Sequence, residues 1–253
     1  MSKIHSAYPM TAADAADIIN PAAVGAPRVD VDIRTHITAG EWLGDEASEE
    51  ASAAYCRVAA QLHQAQQTRA LTTVLIASAL PGEGKSLTAA NLALALSEGY
   101  GKRVALIDAD LRRPTLHALF GTPGSPGLKD CLAGTMPACQ IRIARSLTLL
   151  PAGSPETNPL ERLSSTPLRT LLADEASRCD WVLIDTPPLA ACPDAGLLAQ
   201  LADGVVLVVR AGHTQLADVE SAIRAIGRDR IVGVVLNGSA SRTRPYRYPS
   251  RKA

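Results

Sequence analysis

Aromatic side chains make up only 3% of this 253-residue sequence, with a single Phe. The interior must therefore be built from Ala, Leu, Val and Ile. That suits a parallel sheet covered by helices, whose strands read as continuous aliphatic runs. Charge of one sign is also lacking, since Lys and Arg total 25 and so do Asp and Glu. This balance argues against a whole-surface grip on nucleic acid or on an anionic membrane. Cysteines number five, an odd count, and none has C-x-x-C spacing, so they read as reduced packing residues. No stretch approaches the ~18 uncharged apolar residues of a membrane span. No basic segment followed by an apolar run opens the chain. The expected compartment is the cytoplasm, with recruitment to the inner face of the plasma membrane through a partner.

The length suffices for one large α/β domain with a well-buried core. Residues 1–45 are rich in Ala, Pro and Asp without a sustained period and read as a loosely ordered arm. Tyr55, Val58, Ala59 and Leu62 then fall at i, i+3, i+4 and i+7, one face of a helix over residues 48–67. Short aliphatic runs follow at Thr73–Ser78, Val104–Asp108, Leu147–Pro151, Val182–Asp185, Val205–Val209 and Ile231–Leu236. Helix-length segments such as Ser86–Glu98 and Leu168–Ser177 separate most of them. Strand then helix, repeated, predicts a doubly wound, mainly parallel sheet with helices on both faces, spanning 46–238. From Ser239 the chain becomes a basic tail carrying Tyr246 and Tyr248.

Chemistry concentrates first at Ala79-Leu-Pro81-Gly82-Glu83-Gly84-Lys85-Ser86, a Walker A pattern with Ala in place of its first glycine. Gly82 and Gly84 permit backbone angles that a side chain would block, so the loop N–H groups can converge on phosphate oxygens. The helix opening near Lys85 adds its N-terminal dipole. Lys85, read as an exposed phosphate ligand, can reach the β- and γ-phosphates of ATP, and the Ser86 hydroxyl can ligate Mg²⁺. Pro81, Glu83 and Leu87 complete the expected cofactor-binding run. The loop follows an aliphatic strand and precedes an Ala/Leu-rich helix, the context that a phosphate loop requires.

Two further strands end in acid. Val104-Ala-Leu-Ile-Asp108-Ala-Asp110-Leu-Arg112 places two carboxylates about 7 Å apart on one side of an extended chain. Trp181-Val-Leu-Ile-Asp185 ends another strand and fits a Walker B aspartate. Ligands of doubly wound sheets sit beyond the carboxyl ends of strands. All three aspartates and the phosphate loop thus fall on one edge.

The runs Pro81–Ser86, Asp108–Pro114 (Asp-Ala-Asp-Leu-Arg-Arg-Pro) and Leu183–Pro188 (Leu-Ile-Asp-Thr-Pro-Pro) together resemble the bacterial tyrosine kinases (BY-kinases) of capsule and exopolysaccharide synthesis. So do Gly127–Gly134, Leu150–Gly153, Asn158–Glu161, Asp194-Ala195, Asp203–Arg210 and Gly233–Asn237, in the expected order over about residues 70 to 240. The resemblance implies a P-loop kinase using ATP and Mg²⁺. In it Lys85, Ser86 and Asp185 handle phosphates and metal, and Asp108 accepts the proton of the tyrosine hydroxyl. Asp110 supports metal or substrate, Arg112 steadies phosphate charge, and Asn237 borders the base. It implies autophosphorylation at Tyr246, Tyr248 or both. Its partners would be a separate membrane-embedded regulator of polysaccharide chain length, other copies of the chain and a tyrosine phosphatase.

Two departures bear on this. The tail has two tyrosines where the family often has a longer cluster. A family helix motif, Glu-x-x-Arg-x-x-Arg, would place its charges at Ala53, Cys56 and Ala59, where none stands, which favours a core-packing role for that helix over ring assembly. Rival readings are a Min/Par-type ATPase switch, against which Leu80 stands where those proteins usually carry lysine, and an ATP-binding regulatory subunit without phosphotransfer.

Overall fold

The computed structural model describes residues 28–31, 46–190 and 194–238. Tyr246, Tyr248 and the rest of the tail lie outside these residues. Eight strands form one sheet: β1 Arg28–Val31, β2 Thr73–Ser78, β3 Val104–Asp108, β4 Ile141–Ala144, β5 Leu147–Leu150, β6 Trp181–Asp185, β7 Gly204–Arg210 and β8 Ile231–Asn237. Their order is β1-β8-β7-β2-β6-β3-β5-β4. Every pairing is parallel except that of β4 with β5. The helices are α1 Glu46–Thr68, α2 Lys85–Leu94, α3 Leu116–Leu119, α4 Leu128–Leu132, α5 Leu160–Leu163, α6 Thr166–Arg178, α7 Asp194–Ala199 and α8 Leu216–Ile226; α2 runs on as a π-helical turn over Ala95–Gly99. The expected doubly wound α/β fold is what forms. Two elements go beyond the sequence reading. The edge strand β1 lies inside the segment expected to be a loose arm and pairs with β8. The antiparallel strand β4 closes the other edge.

Every residue of β2, β3 and β6 is buried, as central parallel strands require. Their side chains alternate between two cores. Val74, Ile76, Leu106 and Leu183 face α1 and α2, while Leu75, Ala77, Ile107 and Ile184 face α5 to α8. The strand that feeds the phosphate loop, β2, lies between β6 and β7. The chain leaves β6 on one side of β2 and re-enters the sheet at β7 on the other. That reversal opens a crevice at the carboxyl ends of the strands, above β2.

The α1 face expected from its spacing is the buried one: Tyr55 (1% exposed), Val58, Ala59 and Leu62 pack on α2 and the sheet. Burial pushes the Tyr55 phenol well above its ordinary range, opposed in part by the neighbouring Thr88 and Asn91 side chains of α2. Of the three positions where the family motif would carry charge, Ala59 is buried, Cys56 is half-buried and Ala53 is exposed. Tyr55→Ala should cost about 3–5 kcal/mol, the usual range for truncating a buried aromatic. Urea denaturation of both proteins tests this, and a loss under about 1 kcal/mol would show that α1 is not part of the cooperative core.

Candidate functional site

The loop between β2 and α2 turns through two left-handed glycines, Gly82 at φ +78° and Gly84 at φ +89°. Both angles are strained for any residue with a Cβ. At Gly84 space is also lacking, because a Cβ there would overlap the Asn237 amide. The loop is tied on both sides. Ser78 Oγ donates to Leu80 O at 3.0 Å, and Leu189 N–H and Ala190 N–H donate to Ser78 O and Ala79 O at 2.9 and 3.0 Å. From the opposite side, Asn237 Nδ2 donates to Glu83 O at 2.9 Å. Gly84 caps α2 with its N–H groups directed outward into a cavity of about 660 Å³. The loop, Lys85, Ser86, Leu87, Asp110, Arg112, Thr115, Leu119, Pro187 and Pro188 are among the residues that line this cavity.

Parallel pairing sets Asp108 directly beside Asp185 on adjacent strands. Lys85 neutralises one of them: its Nζ lies 2.7 Å from Asp185 Oδ1, with the side chains 7% and 0% exposed, and 3.1 Å from Ser86 Oγ. Lys85 is thus not the exposed ligand expected from its place in a loop. Asp185 Oδ2 is buried with no hydrogen-bond partner. Asp108 is wholly buried. Its Oδ1 accepts from Asp110 N–H, and its Oδ2 from the N–H groups of Thr115 and Leu116, each at 3.1 Å. Burial, then repulsion from Asp185, pushes its carboxyl up to about 7, against the lowering pull of those N–H donors and Lys85. Asp110 is 7% exposed and is the one of this pair on the cavity wall; burial raises its carboxyl too. Arg112 donates to Thr157 O and so is fastened to the loop before α5.

The structure therefore brings together Pro81, Gly82, Glu83, Gly84, Lys85, Ser86, Leu87, Asp108, Asp110, Arg112, Asp185 and Asn237 around one sheet edge. Asn237 sits at the end of β8, behind the loop rather than on the cavity wall. Its Oδ1 is buried and unpartnered. Sequence reasoning missed Thr214 and assigned no role to Arg210, both of which hold Glu83. Glu83 Oε1 accepts from the Thr214 hydroxyl and, at 3.4 Å, from Arg210 N–H, while Oε2 accepts from Leu80 N–H at 2.7 Å. Nothing in a His-Thr-Gln run signals such a contact 131 residues away.

A phosphate loop under a pair of strand-end carboxylates defines a large superfamily, which similarity narrows. A family model described as "ParA: NUBPL iron-transfer P-loop NTPase" matches residues 69–244. The tyrosine-protein kinase YwqD of Bacillus subtilis is 38% identical over 189 residues, 73% of this chain and 79% of that protein. The chain belongs to the bacterial tyrosine-protein kinase family. ExoP of Rhizobium meliloti, named a succinoglycan biosynthesis transport protein, is 37% identical over 174 residues, 65% of this chain. The match spans only 22% of ExoP. The kinase domain of the Escherichia coli tyrosine kinase ETK superposes with a TM-score of 0.76 at 26% identity, covering 88% of this chain and 96% of that domain. This kinase is thus a nucleotide-binding P-loop protein. Among its described residues no helix is long and apolar enough to cross a membrane.

The electrostatics of the site give a stability prediction. Asp108, Asp110 and Glu83 are all raised, chiefly by burial. The folded ligand-free kinase therefore keeps protons that the unfolded chain releases at about pH 4. Its stability should fall as pH rises from that range to about 7, where the Asp108 carboxyl also ionises. Melting temperatures across this interval check the sign; a rising or level profile would contradict the assignment.

Proposed function

We propose that this chain is an ATP-dependent protein tyrosine autokinase that regulates exopolysaccharide or capsule polymerisation and export. Residues 46–238 with β1 form its catalytic unit, and residues 239–253 supply the acceptor tyrosines. It works at the inner face of the plasma membrane with a separate, membrane-embedded chain-length regulator and with other copies of itself, and a tyrosine phosphatase reverses the modification. The observation that carries the catalytic reading is the convergence of Lys85 with Asp108, Asp110 and Asp185 at the sheet edge beside the phosphate loop.

The residues fit Mg²⁺ with ATP. Asp185 Oδ2 is buried and unpartnered, which suits a cation or its water shell. Magnesium in phosphoryl-transfer sites takes only one or two carboxylates from the protein, and Ser86, Asp185 and Asp110 are the donors at hand. ATP supplies the transferable phosphoryl group, and Mg²⁺ neutralises charge on its oxygens.

The rest is the work of the chain itself. The N–H groups from Pro81 to Leu87 orient the phosphates. Lys85, tethered to Asp185 in the structure, offers its ammonium to phosphate oxygens. Arg112 adds positive charge at the rim. The acceptor tyrosine oxygen attacks the terminal phosphorus, ADP leaves, and the phenol proton passes to Asp108. A carboxyl held up to about 7 is well matched to proton acceptance at neutral pH. The turn over residues 109–116, whose N–H groups cover Asp108, must shift to admit the hydroxyl. From behind the loop, Asn237 would border the adenine base of ATP.

Three substitutions separate these roles. Lys85→Met should abolish ATP turnover and also lower the melting temperature, because it leaves a buried carboxylate unpaired. Asp108→Asn should cut phosphotransfer by about 10²–10⁴-fold while retaining nucleotide binding. Asp185→Asn should raise the Mg²⁺ concentration needed for half-maximal rate. Unchanged turnover in all three, measured in a Mg²⁺ titration, would make these carboxylates structural.

The acceptor site is tested by phosphopeptide mapping after incubation with Mg·ATP, alone and with the membrane partner. Phosphate is expected on Tyr246 and Tyr248, and its loss in Tyr246→Phe/Tyr248→Phe. Tyr55, 1% exposed, is closed to modification in the folded chain, which leaves Tyr100 as the other candidate in the catalytic unit. ATP hydrolysis with no phosphotyrosine under either condition would favour a Min/Par-type switch.

A further inference from the structure

Glu83 presents a physical problem. It lies between the two glycines of a loop built to receive a polyphosphate, yet its carboxyl is wholly buried. Negative charge beneath an anion site opposes binding, so the side chain must contribute something that outweighs the repulsion. Its partners show what. Oε2 accepts from Leu80 N–H at 2.7 Å, within the same loop. Oε1 accepts from the Thr214 hydroxyl, in the turn between β7 and α8. Thr214 Oγ1 in turn accepts from Arg210 N–H at 3.2 Å, at the end of β7.

Two neighbouring contacts run parallel to this one. Arg210 Nη1 approaches Gly82 O at 3.4 Å, and Asn237 Nδ2 donates to Glu83 O at 2.9 Å. The loop's glycine-rich middle is therefore fastened to the ends of β7 and β8 through three successive points. Gly82 and Gly84 make the chain flexible enough for left-handed angles, and the same freedom would leave an unfastened loop in many conformations.

We propose that the Glu83 carboxyl and the Thr214 hydroxyl form a buried strut that presets the phosphate loop, making Glu83 and Thr214 positioning residues for the nucleotide. This rests on the nucleotide-binding reading above and assigns one side chain of the loop to its shape rather than to the ligand. The strut depends on hydrogen bonding rather than on charge. Glutamine can reproduce it, with its oxygen accepting from Leu80 N–H and its amide donating to Thr214 Oγ1. Alanine cannot.

The consequence lies in binding rather than in the chemical step. A loop that must be ordered by its ligand weakens affinity in proportion to the fraction of molecules with the loop in place. Glu83→Ala and Thr214→Val should each raise the dissociation constant for a fluorescent ADP analogue, and KM for ATP, by about tenfold, the scale of one lost buried hydrogen bond. For Thr214→Val, which lies outside the loop, kcat should change by less than about threefold, since the residues that meet the reacting atoms are untouched. Glu83→Gln should restore affinity. The double variant Glu83→Ala/Thr214→Val should be no worse than Glu83→Ala alone, because that single variant already removes the Glu83–Thr214 contact.

Thr214 lies outside the loop, so its valine variant carries the test even if Glu83→Ala folds poorly; melting curves identify that case. Additive losses, a fall in kcat at unchanged KM, or failure of Glu83→Gln to rescue would overturn the strut. Wild-type protein that fails to bind the ADP analogue would instead overturn the nucleotide reading on which it rests.

Discussion

A lysine and an aspartate 100 residues apart, joined at 2.7 Å and shut away from water, hold this site together. Asp185 stands beside Asp108 and is held by the ammonium of Lys85. Parallel register makes the two carboxylates neighbours, and burial removes the water that would screen them. Lys85 is the cation that meets Asp185, and the loop after β2 delivers it there. The pair thus fixes the phosphate loop to β6, and β6 in turn fixes β3. A buried pair of this kind is weak evidence of net stability, but breaking one side of it is costly. The same physics makes the arrangement ready to change partners. A lysine balanced between a carboxylate and incoming phosphate oxygens loses little by moving, provided another positive charge replaces it at Asp185.

That balance explains why the loop needs anchoring from the other side. With Lys85 free to exchange partners, its link to β6 is no longer permanent. The contacts to β7 and β8 run through Arg210, Thr214 and Asn237, none of which lines the cavity, and need not change. Gly84 records how closely this side is packed, since the Asn237 amide occupies the space that a Cβ would take. The loop is then held on its β7–β8 flank by contacts independent of Lys85, a useful asymmetry for a residue run that must bind and release a nucleotide.

Much of this was legible in the sequence, and for one reason: aliphatic runs that end in acid or lead into a glycine loop are both structure and chemistry. The central strands β2, β3 and β6 and their terminal residues Ser78, Asp108 and Asp185 followed from the runs alone. The edges did not. In Arg28-Val-Asp-Val31 charges alternate with valines over only four residues, and such edge strands owe their place to a neighbour, here β8, more than to their own pattern. The four- and five-residue helices α3, α4 and α5 are too short to show a period. At the site, backbone-driven features were visible, including the glycine turns and the acidic strand ends. Side-chain pairings such as Glu83 with Thr214 were not, because each depends on where two distant segments meet. The reading of Lys85 as exposed failed for the same reason: its partner lies on another strand.

The departures in the tail and in α1 concern assembly, and the structure sharpens one of them. Tyr55, Val58, Ala59 and Leu62 commit one face of α1 to the same core as α2, the helix that carries the phosphate loop at its start. Where the family motif would place charge, Ala59 is enclosed in that core, and an arginine there would have to carry its guanidinium out through packed side chains. Ala53 and Cys56 could accept larger residues at the rim, but the third position could not without repacking. At that position the helix braces α2. The effect of α1 on catalysis would run through α2 within one chain, because whatever tilts α2 also moves Lys85 and the N–H groups ahead of it.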